Sequence, residues 1–373
     1  MSRPTEIIID LKAVQANCTF AQSLAAHSKT VAVVKADAYG HGAIEVARAL
    51  EPQVAMLTVS CLEEAVLLRE GGIEKPILLL EGCFSAEEIA RAAEHELDLV
   101  VHTAEQVGDL QNSHLEYAFK IWLKIDTGMH RLGIEPSMAA TTYELLSALP
   151  CVDKIVLCTH LASADEQNSD FTLKQLSCYE QAIEPILAAM SVAQQNEAEQ
   201  SIANSAGILA WPQTRLSWNR PGIMLYGLSP FAKPHPQADK LQPAMTFKSQ
   251  VIALRDIQEG ECVGYGNSWQ AQRKSTIATV AAGYGDGYPR TAKSGTPLLI
   301  EGHRAPLVGR VSMDMLCVDV TDLPQLKIGD EAVMWGRASN GSSLSASEVA
   351  SFAGTIAYEL VTRMPTRAKR RFV

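Results

Sequence analysis

The 373-residue chain has no stretch long and apolar enough to cross a bilayer. Its longest run free of Asp, Glu, Lys and Arg, Gln200 to Thr214, is interrupted by Ser, Asn, Gln and Pro. The opening MSRPTEIIIDLK lacks the charged, apolar and small-residue order of a secretion signal, so a cytoplasmic location is expected. There is no C-x-x-C pair: Cys18, Cys61, Cys83, Cys151, Cys158, Cys178, Cys262 and Cys317 are scattered, mostly in apolar runs, and are expected to be reduced, buried small hydrophobes. Positive charge is in deficit, 32 Lys and Arg against 42 Asp and Glu, and a net charge of −10 repels nucleic acid and anionic lipid. The basic tail from Arg363 to Arg371 therefore reads as a solvated terminus or an interface edge. Also missing are G-x-G-x-x-G after a strand, G-x-x-x-x-G-K-[ST] and any cluster with metal-ligand spacing, so neither a nucleotide loop nor a metal is expected.

What is present is an ordinary globular composition, 47% hydrophobic and 20% charged, in a chain too long for one ordinary domain. After a first strand at Glu6 to Asp10, eight short aliphatic runs alternate with helical stretches. The runs are Val31 to Val34, Val54 to Val59, Ile77 to Leu80, Leu97 to Val101, Ala118 to Ile125, Lys154 to Thr159, Gln200 to Ala203 and Leu216 to Asn219. Helices are expected at Leu11 to His27, Cys61 to Glu70, Ala86 to Glu94 and Ser169 to Met190. This is the arithmetic of an α/β fold with a TIM-like (β/α)8 barrel. A Pro-rich linker at 230–243 then separates the barrel, 11–230, from a mostly-β C-terminal domain made of 1–10 and 240–373. In that domain strands are expected at Phe247 to Arg255, Ser275 to Ala281, Pro297 to Ile300, Leu316 to Val320 and Glu331 to Met334, with a closing helix over Ser347 to Val361.

Barrel enzymes place their working groups at the C-terminal ends of the strands. Lys35 stands there in VAVVKADAYGHG, either as a lysine snorkelling from a strand end or as an amine desolvated enough to form a Schiff base with an aldehyde such as pyridoxal phosphate. Lys124, His160 and the SIANSAG segment stand at further strand ends, and the last offers Asn204, Ser205 and backbone amides where barrels hold phosphate. Each has a plainer reading: Lys124 with Asp126 as a surface ion pair, His160 as a core histidine, Ser205 as a helix cap. In the β domain, ECVGYGNSW and VAAGYGDGYPR read as tight glycine turns that also present tyrosines. A phenol of ordinary pKa, about 10, is a poor base at neutral pH unless a cation lies beside it.

VAVVKADAYGHG, LKIDTGMHRLG, ANSAG, RPGIMLYG, VGYG, GYGDGYPR, VGRVSMDM and AYEL occur in this order, and with them the chain resembles the bacterial alanine racemases from about residue 5 to its end. The resemblance implies a pyridoxal 5'-phosphate enzyme interconverting L- and D-alanine. Lys35 then corresponds to the lysine that holds the cofactor and serves the D face of the substrate. Tyr265 corresponds to the opposite base, serving the L face from the partner subunit, which makes a homodimer the functional unit. Two groups on opposite faces are what inversion requires, because one base mostly returns the proton to the side it left.

The same resemblance gives Arg131 the substrate carboxylate and the lowering of the Tyr265 pKa, with Lys124 carbamylated to hold that arginine. Arg220 faces the pyridine nitrogen; a guanidinium only donates, which keeps that nitrogen unprotonated and restrains side reactions. Tyr39, Ser205, Tyr358 and the amides of Gly222 and Ile223 take the phosphate, with Asn204 alongside. Met313 offers its amide to the substrate carboxylate, Tyr284 lines the entrance, Asp314 orients that loop, and His160 bridges Arg220 and Tyr265. Ser201 and Ser312 depart from the His and Cys that many or some family members carry there.

A pyridoxal phosphate homeostasis barrel explains Lys35 without needing the β domain, Tyr265 or Arg131. A decarboxylase of the same architecture uses an acidic residue where Arg220 stands. A racemase of broader specificity is often exported and disulfide-bonded. The preference for alanine rests on Tyr358, Tyr284 and Met313 leaving room for little beyond a methyl, and one methylene is worth only about 1–3 kcal/mol of discrimination. Supply of D-alanine for peptidoglycan and its degradation are both compatible with the sequence.

Overall fold

The computed structural model describes residues 3–373. Eight parallel strands close a barrel: β2 (Lys29–Val33), β3 (Met56–Val59), β4 (Ile77–Leu79), β5 (Leu97–Val101), β6 (Phe119–Lys124), β7 (Val152–Cys158), β8 (Glu199–Ser201) and β9 (Trp218–Asn219). They coincide with the eight aliphatic runs to within a few residues. Alternation along each strand separates two cores. Val31, Met56, Leu78, Val100, Trp122, Val156, Cys158 and Trp218 fill the interior, while neighbours such as Ala32, Leu57, Ile121 and Leu123 pack outward against the helices. The helix Phe171–Ala188 meets that outer layer through Thr172, Gln175, Leu176, Tyr179, Ala182, Ile183 and Ile186, spaced three and four apart.

The N-terminal ends of the strands are closed by charge. Lys29 Nζ lies 2.7 Å and Lys154 Nζ 3.4 Å from Glu199 Oε1, and Lys29 and Lys120 both stand over the Trp218 ring. Asp98 projects from β5 into the same layer, where burial pushes its carboxyl up to about 7 although Lys120 and Arg69 favour its charge. A carboxyl raised in the folded state binds its proton more tightly there than in the unfolded chain, so it removes stability as pH rises from about 4 to 7. Asp98→Asn is accordingly expected to stabilise the chain by about 2 kcal/mol in urea unfolding at pH 8, with the gain shrinking toward pH 5. A gain of the same size at both pH values would refute this account.

The second layer is a nine-stranded sheet in the order β16-β15-β12-β13-β14-β11-β10-β1-β17. Its members are β1 (Glu6–Ile9), β10 (Met245–Ile257), β11 (Ser275–Val280), β12 (Pro297–Ile300), β13 (His303–Val308), β14 (Leu316–Asp319), β15 (Glu331–Arg337), β16 (Ser343–Leu344) and β17 (Lys369–Phe372). Its core gathers Ile7, Ile9, Phe247, Tyr288, Leu298, Val333 and Trp335. β1 lies between β10, antiparallel with Ile9 opposite Met245, and β17, parallel with Ile9 opposite Phe372.

Several expectations are corrected. The basic tail is not a solvated terminus: Lys369–Phe372 is β17, hydrogen-bonded to β1. The closing helix is two, Ala346–Ala353 and Ala357–Thr362, because Gly354 turns left-handed at φ 72° between them. β13 was absent from the expected strands because Pro306 interrupts its pattern; it pairs opposite Pro297 on β12. All eight cysteines are free, but only Cys18, Cys83, Cys151 and Cys158 are buried, and Cys262 is exposed.

Candidate functional site

The C-terminal ends of the barrel strands open into a cavity of about 1080 Å³. Lys35 follows β2, Glu81 follows β4, Lys124 ends β6, Cys158 ends β7 with His160 just beyond, and Arg220 follows β9; all line the cavity. Tyr39, Arg131, Asn204, Ser205, Gly222, Ile223 and Tyr358 line it as well.

Lys35 is held by unusual backbone. Ala36, Asp37, Ala38 and Tyr39 all have φ between 52° and 54°, forming one left-handed turn without a glycine. Each such residue costs about 1 kcal/mol or more, so neighbouring groups must enforce the conformation. Glu64 Oε1 accepts the Ala36 N–H at 2.7 Å, and Asp37 Oδ1 accepts that of Ala43 at 2.8 Å. The buried His41 donates from Nδ1 to the carbonyls of Ala38 and Tyr39, and its ring lies 4.5 Å from that of Tyr226, whose hydroxyl donates to Val33 O. Burial holds the His41 pKa down at about 4, so the ring stays neutral and keeps its acceptor nitrogen at Nε2.

Charge in the cavity is predominantly positive. Burial lowers the Lys35 pKa, assisted by Arg131 and opposed by Glu81 and Glu64. Lys124 is lowered by burial, then by Arg220, Arg131 and Lys35, with Cys158 opposing. Burial and those same four cations push His160 well below the ordinary imidazole range, leaving it neutral. Arg220 is buried, and its guanidinium donates to Thr159 O at 2.6 Å, Ile202 O at 3.2 Å and the Ser201 hydroxyl, with His160 Nδ1 at 3.5 Å. The guanidinium is thereby oriented by carbonyls and a hydroxyl, not by a carboxylate. Four cations around one concavity call for an anionic ligand.

One wall is shaped for a small anion. Ser205 Oγ accepts the Gly222 amide at 2.9 Å and that of Met224 at 3.4 Å. A Cβ on Gly222 would stand 2.8 Å from the Tyr39 hydroxyl, so glycine is what lets the two meet. The Tyr39 and Tyr358 phenols face this wall with ring centroids 6.2 Å apart, and burial raises both pKa values, Tyr39 to about 12, so both keep their protons as donors. Asn204 caps the helix Ser205–Ala210 through the Gly207 amide at 3.0 Å and donates to Leu161 O, which fixes the loop.

Tyr265, Tyr284, Met313 and Asp314 are not brought to this cavity within the chain. Tyr265 is 71% exposed, Tyr284 40% and Met313 52%, all on the β domain. Their loops are tied together: Tyr284 N donates to Ser312 O and Gly285 N to Met313 O, while Asp314 pairs with Arg367 and its carbonyl accepts from Arg3. Asp286, fully buried, accepts from the Gly283 amide and pairs with Arg3 and Arg367. Sequence reasoning passed over Asp286, although a lone carboxylate among three glycines and two tyrosines in GYGDGYPR is a signal. It also passed over Glu64, Glu81 and Asp37, whose roles depend on strand ends meeting in space.

Comparison with known proteins agrees with this geometry. Residues 9–230 match the model for the alanine racemase N-terminal domain, and residues 244–372 that for the alanine racemase C-terminal domain. The chain is 49% identical to an alanine racemase of Pseudoalteromonas atlantica over 100% of both chains. It is 45% identical to a catabolic alanine racemase of Pseudomonas putida over 96% of each. Among solved structures, the biosynthetic alanine racemase of Pseudomonas aeruginosa superposes with a TM-score of 0.92 at 43% identity, covering 100% of both chains. On sequence and structure alike, the chain belongs to the alanine racemase family.

Proposed function

We propose that the chain interconverts L- and D-alanine with pyridoxal 5'-phosphate held in the barrel cavity, and that a second copy of the chain completes each site. The cofactor, when bound, supplies acidification of the substrate Cα–H. The donor set suits it: the Ser205 hydroxyl, the Tyr39 and Tyr358 phenols and the amides of Gly222 and Ile223 for a phosphate, Asn204 fixing their loop, and Arg220 for a ring nitrogen that must accept. The Lys35 amine, its pKa lowered by burial, is freed to hold the cofactor and to carry a proton at Nζ on the D face. Arg131 and the amide of the partner's Met313 take the substrate carboxylate, and a carbamate on Lys124 would turn its repulsion of Arg131 into attraction. His160, neutral beside Arg220, passes a hydrogen bond toward the second base and takes no part in the proton transfer itself.

The observation that carries this reading is the separation of the two halves. Lys35 lies in the cavity, whereas Tyr265 stands exposed on a different domain, as a base delivered to a partner's cavity would. With the partner's Tyr284 and Met313 at the entrance and Asp314 bracing their loop, alanine is the preferred substrate. The division into a cofactor barrel, 11–230, and a β domain of 1–10 and 240–373 joined by the 230–243 linker belongs to the same proposal. So do a cytoplasmic setting and a role in supplying D-alanine for peptidoglycan or degrading it.

The test is direct. Purified chain should show the visible absorption of lysine-bound pyridoxal phosphate and abolish the circular dichroism of both L- and D-alanine solutions with time. Cofactor absorption with no loss of either signal would mean a binding protein only. Equal turnover of lysine or arginine would replace alanine by a broader substrate range.

A further inference from the structure

We infer that Arg370, in the basic tail, is a positioning residue for the left-handed turn that carries Lys35 and Tyr39; this rests on the reading of those two residues as the cofactor's. The side chain of Arg370 is 17% exposed and reaches from β17 to the far side of that turn. Its Nε donates to Gly40 O at 3.0 Å, and one terminal nitrogen lies 2.9 Å from Asp37 Oδ2 and 3.3 Å from Met364 O. Two of these partners belong to the turn or its exit. Asp37 uses its other oxygen on the Ala43 amide, so the carboxylate links the turn to the following helix Ala43–Leu50 while Arg370 fixes the carboxylate.

Packing on both sides leaves the turn little freedom. A Cβ on Gly40 would stand 1.9 Å from Val361 O, and the Phe372 ring fills the space a Gly42 side chain would take. The helix Ala357–Thr362 and β17 therefore press on the turn from the β domain, and Arg370 is the charged link between them. A planar guanidinium suits this task because it serves a carbonyl and a carboxylate at once with fixed geometry. The neighbouring Arg371, half-exposed and 3.5 Å from Glu6 Oε2, reaches no part of the turn.

Cofactor affinity tests the assignment, read by titrating cofactor-stripped full-length chain with pyridoxal 5'-phosphate while following its visible absorption. Arg370→Gln and Asp37→Asn should each weaken binding by about tenfold, and the double variant should be no more than about twofold worse than either. Arg370→Lys should recover part of the loss, and Arg371→Gln should stay within about twofold of the parent. Unchanged affinity in a folded Arg370→Gln chain overturns the proposal, as do losses that simply add in the double variant. Should Arg370→Gln fail to fold, Asp37→Asn cuts the same ion pair from its half-exposed end and decides alone. Failure of the unmodified chain to bind overturns the underlying reading, whereas parental binding with an unaffected variant overturns only the role of Arg370.

Discussion

Replacing Lys35 with alanine is expected to lower alanine racemisation by roughly 10⁴-fold or more and to remove the visible absorption of lysine-bound cofactor. Both losses follow from one atom, because Nζ is the only amine at the end of β2 facing the cavity, and burial with Arg131 beside it makes that amine nucleophilic. Lys124 also lines the cavity with a lowered pKa, so it is the natural control. Lys124→Ala should keep the absorption while weakening substrate binding through Arg131. If the Lys124 variant lost the absorption and the Lys35 variant kept it, the assignments would be reversed.

Tyr265→Phe should reduce racemisation by roughly 10²–10⁴-fold while leaving cofactor binding intact. The equilibrium constant between enantiomers is one, so net racemisation must fall equally in both directions and cannot by itself show which face Tyr265 serves. Exchange of the Cα hydrogen with deuterated water can. Exchange into L-alanine should collapse, while exchange into D-alanine, served by Lys35, should persist. Equal losses would remove the facial assignment. Mixing Lys35→Ala chains with Tyr265→Phe chains then examines the dimer, since random pairing gives half heterodimers, each with one intact site out of two. Recovery of about one quarter of parental activity is expected, and no recovery would mean that each chain builds its site alone.

The barrel was legible because parallel strands buried on both faces leave short aliphatic runs that charged helices cannot imitate. Three cavity residues followed from the same regularity, since Lys35, Lys124 and His160 each sit at or just past a strand's end; Arg220 sits just past one too, but it was the family resemblance that pointed to it. The left-handed turn was not legible, because nothing in KADAY, which lacks glycine and asparagine, announces positive φ. Beside the nearby His41 and Ala43, partners distant in sequence, Glu64 and Arg370, bond to it there. The tail misled for a related reason. KRRF looks like a solvated basic run, yet alternate residues of a strand face opposite sides, so Arg370 can be largely buried while Arg371 meets solvent.

The place of β1 between β10 and β17 bears on synthesis. β1 must wait, with one edge unpaired, until β17 has been made, and the whole barrel is assembled in between. If Arg370 acts as inferred, the turn bearing Lys35 relaxes among looser conformers throughout that interval and is seated only when β17 pairs. Cofactor capture is then coupled to the pairing of β17 with β1 and not to completion of the barrel.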